Sequence, residues 1–171
     1  MDKTLRRVSI PMSMILLILA SCSSTQIKTG HDPQADFTQY KTYTWAPQAQ
    51  PAPDRPASSI LDETVKTAVE QQLATKGLRK VPGPQADLMV TYSATTTDKV
   101  TYGAAPGPWY WGTVEQPYVT PEGSLTLQFI DPKNHRTVWQ GTATDTVGDS
   151  GASQKQVANA VKDLLQKYPT A

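Results

Sequence analysis

The sequence predicts an α+β fold, a two-layer sandwich in which an antiparallel sheet of four to five strands carries two helices packed on one face. Three observations lead there. Apolar residues recur at helical spacing in two stretches, Ile60 to Lys76 and Ser153 to Tyr168. Several other segments alternate apolar and polar residues with period two, as strands do when one face is buried and the other is wet. Turn chemistry separates these segments at Gly77, at Pro82-Gly83-Pro84 and at Asp131-Pro132-Lys133-Asn134-His135.

The chain opens with Lys3, Arg6 and Arg7, then an apolar segment from Ile10 to Ala20, then small residues. That is the order of a secretory signal. At about 1.5 Å per residue the apolar segment covers only about half of a hydrocarbon core roughly 30 Å thick, so it is too short to be a span. Leu19-Ala20-Ser21-Cys22 closes it and contains the only cysteine, which excludes a disulfide framework. The tetrapeptide resembles the lipobox of bacterial lipoproteins. The resemblance implies acylation of the Cys22 sulfur, removal of residues 1–21 and, with Ser23 following, an outer-membrane location facing the periplasm. Cleavage would remove three basic residues (Lys3, Arg6, Arg7) and one acidic residue (Asp2), taking the formal net charge from +1 to −1. Neither nucleic acid nor an anionic membrane surface is suggested as a partner.

Residues 22–35, with Ser, Thr, Gly, Asp and Pro and no apolar period, read as a flexible tether ahead of a single domain over 36–171. A chain begun near His31 is therefore expected to fold. The first strand falls within Phe37 to Trp45, most clearly from Tyr43 to Trp45, and Pro47 ends it. The proline-rich stretch up to Pro56 is a loop. Ser59 is placed to cap the first helix, on which Leu61, Val65, Ala68, Val69 and Leu73 form one apolar stripe. Gly77 stops it, with Leu78 folding back in a Schellman-type end before a short strand from Leu78 to Val81.

From Asp87 to Thr95 Leu88, Val90, Tyr92 and Ala94 share one strand face, and the strand is extendable through Val100 to Tyr102. Regularity fails from Gly103 to Gly123, where prolines surround Trp109-Tyr110-Trp111; a long loop of this kind is a binding surface or mobile. Leu125, Leu127 and Phe129 then face one way, as do Thr137, Trp139, Gly141 and Ala143 in the next strand, and Asp131 to His135 joins the two as a hairpin, where Pro132 presets φ for a type I turn and Asn134 tolerates left-handed geometry. Ser153-Gln154-Lys155-Gln156 matches a capping box at the head of the second helix, and Pro169 ends it.

Asp36-Phe37-Thr38-Gln39-Tyr40-Lys41-Thr42-Tyr43-Thr44-Trp45, Lys76-Gly77-Leu78, Ala86-Asp87-Leu88-Met89-Val90, Asp131-Pro132-Lys133 and Val138-Trp139-Gln140-Gly141 resemble, in this order, the segments of a family of bacterial envelope lipoproteins known as domain of unknown function 4136. The resemblance spans Asp36 to about Pro169. It implies fold and location, and brings neither an activity nor catalytic residues.

Chemistry-bearing patterns are few. Gly148-Asp149-Ser150-Gly151 copies the surroundings of a protease serine, yet the only histidines are His31 in the tether and His135 in a turn, so no base is placed to activate it. Two histidines and one cysteine do not make a spaced zinc site; Asp145 and Asp149 could approach a hard cation but lack Ca²⁺-loop spacing. No phosphate-binding glycine loop occurs. The sequence thus carries no catalytic set, no metal site and no cofactor site. The residues singled out are Cys22 for lipidation and Trp109, Tyr110 and Trp111 for binding an envelope protein or a glycan, or for capping the edge of the core. The expected function is a lipid-anchored, non-enzymatic module for partner binding or envelope assembly. The alternatives are a small hydrolase using loop carboxylates and a purely structural subunit of an outer-membrane complex.

Overall fold

The computed structural model describes residues 25–47, 59–106, 112–148 and 150–169. In chain order they form β1 (Gln26–His31), β2 (Thr42–Trp45), α1 (Ser59–Thr75), β3 (Arg79–Lys80), β4 (Leu88–Pro106), β5 (Thr113–Asp131), β6 (Arg136–Thr146) and α2 (Gln154–Gln166). The fold is α+β, but the sheet has six strands in the order β1-β6-β5-β4-β2-β3. It is also mixed. The pairs β1–β6, β6–β5 and β5–β4 are antiparallel, whereas β2 lies parallel to both β3 and β4. The expectation of four to five antiparallel strands is corrected because alternation reports which face of a strand is buried and is blind to its direction. Direction follows from the connection, and α1 supplies the crossover that a parallel neighbour needs.

The extra strand is β1, in the segment expected to be a tether. Its residues pair with β6 from Gln26↔Thr144 to His31↔Trp139. An edge strand needs little apolar signal, and here only Ile27 packs partly against the core. A chain begun near His31 would therefore lose this strand.

One face of the sheet carries the core. Tyr43, Leu88, Val90, Leu125, Leu127, Phe129, Trp139 and Ala143 are buried there, against Val65, Val69 and Leu73 of α1 and Val157, Val161, Leu164 and Leu165 of α2. Each such large apolar side chain contributes about 1.5–3 kcal/mol relative to exposure. Both helix ends have local causes. Gly77 takes φ 81°, and the Leu78 and Gly77 N–H groups donate to the carbonyls of Leu73 and Ala74, both at 3.0 Å, forming the Schellman end of α1. At the head of α2, the Gln156 N–H donates to Ser153 Oγ (3.3 Å) and the Ser153 N–H donates to Gln156 Oε1 (3.0 Å), closing the capping box.

The β5–β6 hairpin departs from strict alternation. Phe129 faces Trp139 but Ile130 faces Thr137, so Val138 is an extra residue in β6. The bulge turns Thr137 to the open face of the sheet, away from Trp139, and lets Val138 and Trp139 both be buried. In the connecting turn the left-handed residue is His135 (φ 53°) and not Asn134. The bond from the Lys133 N–H to Asp131 Oδ1 (2.8 Å) starts the turn, and the chain reverses one residue later.

Residues 103–123, expected to be irregular, are largely strand. β4 and β5 pair without interruption from Met89↔Ile130 to Pro106↔Thr113. Pro117 and Pro121 do not break β5 because of where their missing N–H groups point. The Pro121 carbonyl accepts from the Val147 N–H on the side away from β4, at 2.9 Å. Its nitrogen faces the same way, and that of Pro117, four residues off, does too.

Candidate functional site

Cys22, Trp109, Tyr110 and Trp111, the residues singled out in the sequence, lie outside the described residues. The structure nevertheless places the two strand ends that flank the aromatic stretch. Pro106 and Thr113 are opposite one another, so residues 107–112 join the two strands of a single long hairpin.

Much of that hairpin projects beyond the sheet. The last β5 residue paired with β6 is Glu122, opposite Thr146, and β2 accompanies β4 only to Val90. From Lys99↔Thr120 outward, β4 and β5 pair only with each other among the described residues. Three features hold this arm. The Lys99 ammonium pairs with Glu122 Oε1 at 2.8 Å at its root. Val100 lies opposite Val119 on the face that carries the helices further back. On the other face the Tyr118 ring lies over Gly103, where an added Cβ would come within 2.9 Å of it; an aromatic ring covering a strand glycine restores packing that the glycine lacks.

Even so, the arm stays apolar and open, with Val100 52%, Tyr102 71%, Tyr118 48% and Val119 62% exposed. Isolated two-stranded ribbons are marginally stable in water, and apolar residues clustered on one mark a contact surface. The sequence shows the β4 side of the arm as far as Tyr102 but not the β5 side, because Pro117 and Pro121 read as breaks. The signal that could have found it is the pairing of Val100-Thr101-Tyr102 with Tyr118-Val119, two β-prone runs on either side of the aromatic stretch.

A second feature lies at the far end of the sheet, where the segments of the family resemblance converge. Asp32, Asp36, Tyr40, Asp87, Asp131 and Lys133 line a cleft of about 330 Å³. Each carboxylate already serves the chain. Asp87 Oδ2 accepts from the Lys41 and Thr42 N–H groups and from the Thr42 hydroxyl. Asp36 accepts from the Thr38 N–H and hydroxyl and from Gln39 Nε2. Asp32 pairs with Arg136 at 2.7 Å and accepts from the Gln34 N–H. Hydrogen bonds from the Thr38 and Gln39 side chains hold Asp36, and those from Thr42 hold Asp87, below the usual carboxylate range. Burial, reinforced by the charges of Asp131 and Asp32, pushes the Tyr40 phenol up. The carboxylates of the cleft thus act as acceptors for the chain's own donors, locally at Asp32, Asp36 and Asp131 and across to β2 at Asp87.

Behind it, Phe37, Phe129 and Trp139 surround Tyr168, with ring centroids 5.5, 4.9 and 5.5 Å from its own. The Tyr168 hydroxyl is buried with no hydrogen-bond partner among the described residues. Elsewhere, Asp145 accepts the Thr25 hydroxyl at 2.8 Å, and Asp149 lies outside the described residues. Among the described residues no group of three or more His, Cys, Asp or Glu side chains is placed to hold a metal ion. Nor is any described helix long and apolar enough to cross a membrane. The open face of the sheet is polar, with hydroxyl pairs Thr126–Thr142 (2.9 Å) and Ser124–Thr144 (3.1 Å) beside Gln128–Gln140 (3.1 Å).

Fold and arm together define a two-layer α+β module with a projecting β-ribbon. The chain belongs to the family described as "Domain of unknown function (DUF4136)", whose model matches residues 27–170. That match opens inside β1 and closes beyond α2, so it takes in all six strands apart from Gln26. Among solved structures, a PDZ domain protein from Parabacteroides distasonis is 16% identical with a TM-score of 0.60, over 85% of this chain and 35% of that one. The chain thus spans about a third of that protein's length. A PelC dodecamer from Paraburkholderia phytofirmans is 14% identical with a TM-score of 0.50, over 85% of this chain and 99% of that one. At such identities the likeness is one of fold. No curated protein matches.

Proposed function

We propose that the protein is a lipid-anchored, non-enzymatic binding module of the bacterial envelope, held through Cys22 at the outer membrane and facing the periplasm, with the β4–β5 arm as its contact element. The observation that carries the binding reading is the arm, a ribbon that leaves the core, exposes Val100, Tyr102, Tyr118 and Val119, and leads to Trp109-Tyr110-Trp111. Its aromatic residues suit an envelope protein or a glycan, since rings offer large contact area with little side-chain entropy to lose. The anchor reading rests on the lipobox-like Leu19-Ala20-Ser21-Cys22 behind a charged and then apolar leader. Two acyl signals on one residue give stable membrane attachment. A non-enzymatic role is supported by the cleft. There the carboxylates of Asp32, Asp36 and Asp87 are already engaged by donors of the chain itself.

Two variants of the full chain test this. Cys22→Ser should lose fatty-acid labelling and move from the membrane to the soluble envelope fraction; unchanged membrane association overturns the anchor. Replacing Trp109 and Trp111 together by Ala should abolish capture of the envelope partner in crosslinked pull-downs while the circular dichroism spectrum and unfolding midpoint stay as they are. Retained capture overturns the binding assignment, and lost folding returns the two rings to the core.

A further inference from the structure

The arm has two outer edges, and they differ. On the β5 side the free stretch from Thr113 to Thr120 contains Pro117, and Pro121 stands where β6 gives way; both point a missing donor outward. Proline on an outer edge is a device that blocks edge-to-edge pairing. The β4 side has no such device. From Ser93 to Ala105 it contains no proline, and among the described residues no strand lies beside it. The Val90 carbonyl accepts from the Ala46 N–H on this edge at 2.8 Å. Backbone groups alternate along a strand, so the N–H and C=O of Ala94, Thr96, Asp98, Val100, Tyr102 and Ala104 face the same edge.

We propose that this edge pairs with the same edge of a second copy of the chain, β4 against β4 antiparallel, about a two-fold axis through Val100. The register follows from three constraints. An antiparallel pair related by a two-fold axis is centred on a residue facing its own copy, and residues opposite one another share a face. A centre at Asp98 or nearer the body would run Pro106 of the second copy into Leu88–Val90, where β2 already occupies the edge. That centre would also set Asp98 against Asp98, and a centre at Lys99 would set two ammonium groups face to face; like charges opposite one another are unfavourable. Val100 is the next residue, and it gives the longest overlap left, Ala94 to Pro106 against Pro106 to Ala94.

In that register Val119, Val100, Val100 of the second copy and Val119 of the second copy form one apolar row across four strands, on the face where they are now exposed. Tyr102 faces Asp98 of the second copy, a hydroxyl donor beside a carboxylate. Pro106, the last β4 residue before the aromatic stretch, comes opposite Ala94 of the second copy, so each arm reaches back to the other's sheet. The pairing uses the arm's shaft and depends on neither the lipid nor the partner of Trp109 and Trp111, so it can fail without touching the function proposed above.

Cysteine crosslinking of the full chain in intact cells tests it. Facing residues of a backbone-bonded antiparallel pair have Cα atoms about 5.5 Å apart, within disulfide range. Val100→Cys should, on mild oxidation, shift to a band of twice the monomer mass that reduction reverses. Val119→Cys, on the same face but about three strand spacings of roughly 4.8 Å from its counterpart, should not shift. The unsubstituted chain, oxidised alongside, reports any dimer made through Cys22. Val100→Asp, at an exposed position outside the core, should run at monomer mass in detergent solution where the unsubstituted chain runs at dimer mass, with its circular dichroism spectrum unchanged. Absence of the Val100→Cys dimer, equal crosslinking at Val119, a Val100→Cys adduct to a different protein in place of the dimer, or a Val100→Asp chain that stays dimeric each overturns the proposal.

Discussion

Thr42 and Asp87 hold each other three times: the Thr42 N–H and hydroxyl donate to Asp87 Oδ2 at 2.9 and 2.7 Å, and the Asp87 N–H donates to the Thr42 hydroxyl oxygen at 3.0 Å. The pair ties the first residue of β2 to the residue before β4, fixing the start of two parallel neighbours. Replacing Asp87 by Ala leaves the Lys41 and Thr42 donors without their acceptor and should lower stability by about 2 kcal/mol, read as a fall in the urea midpoint. An unchanged midpoint would mean that the clamp adds nothing.

The same carboxylate sets a pH dependence. Hydrogen bonding from Thr42 lowers the Asp87 pKa in the folded state below 3.8, the value of the free side chain. The folded state therefore favours the ionised form, and the stabilisation is fully present above the unfolded value and lost as pH falls through the folded one. Urea midpoints should drop on acidification below about pH 4, and Asp87→Asn should drop less over that interval. Equal slopes for the two proteins would remove Asp87 from the explanation.

Gly141 lies under the ring of its own strand neighbour. A Cβ there would meet Trp139 Cη2 at 2.6 Å and Leu164 Cδ2 at 2.9 Å, while one on Gly30 would meet nothing within 4 Å. Gly141→Ala should therefore cost about 1–3 kcal/mol through displacement of the indole. Gly30→Ala should fall within about 0.5 kcal/mol of the parent. Thermal unfolding of the two variants side by side checks the contrast.

The Tyr168 hydroxyl is buried without a partner among the described residues, and burial pushes its pKa well up. Tyr168→Phe keeps the ring among Phe37, Phe129 and Trp139 and removes the unpaired oxygen. The unfolding temperature should hold or rise, by about 1 kcal/mol in stability terms. A clear fall would show that the hydroxyl has a partner in solution.

Removing β1 should matter more than its composition suggests. A chain begun at Thr25 should fold, whereas one begun at Asp32 exposes the β6 edge and should lose roughly 3 kcal/mol, at about half a kcal/mol for each ladder position from Gln26 to His31. Chemical denaturation of the two truncations decides this; equal stability would return the segment to the role of a linker.

Where the sequence was legible, a local rule had one solution. Gly77 after an apolar stripe, Ser153 three residues before Gln156, and Leu88, Val90 and Tyr92 at period two each specify a geometry without knowledge of the remainder, and each is found. What was illegible depended on neighbours distant in the chain. β1 carries no apolar period because β6, more than a hundred residues on, supplies its hydrogen bonds. The parallel setting of β2 depends on where α1 returns the chain. Thr137 changes face because of a one-residue slip against Phe129 and Ile130. Pro117 looked like a break because the side from which its nitrogen is missing is fixed only once β5 has no outer neighbour there. The candidate site was half legible for the same reason. Trp109-Tyr110-Trp111 stands out by composition, but the ribbon that carries it arises from pairing.

The position of β1 bears on how the molecule would stand on a membrane. With acyl chains on Cys22, as proposed, residues 23–25 alone separate the lipid from Gln26, where the sheet begins. At no more than about 3.5 Å per residue that is on the order of 10 Å. Such a domain is moored rather than leashed: the β1 margin stays beside the lipid headgroups and the body sweeps almost no volume. The height and bearing of the arm are then set by the sheet, and whatever the arm meets must approach it there.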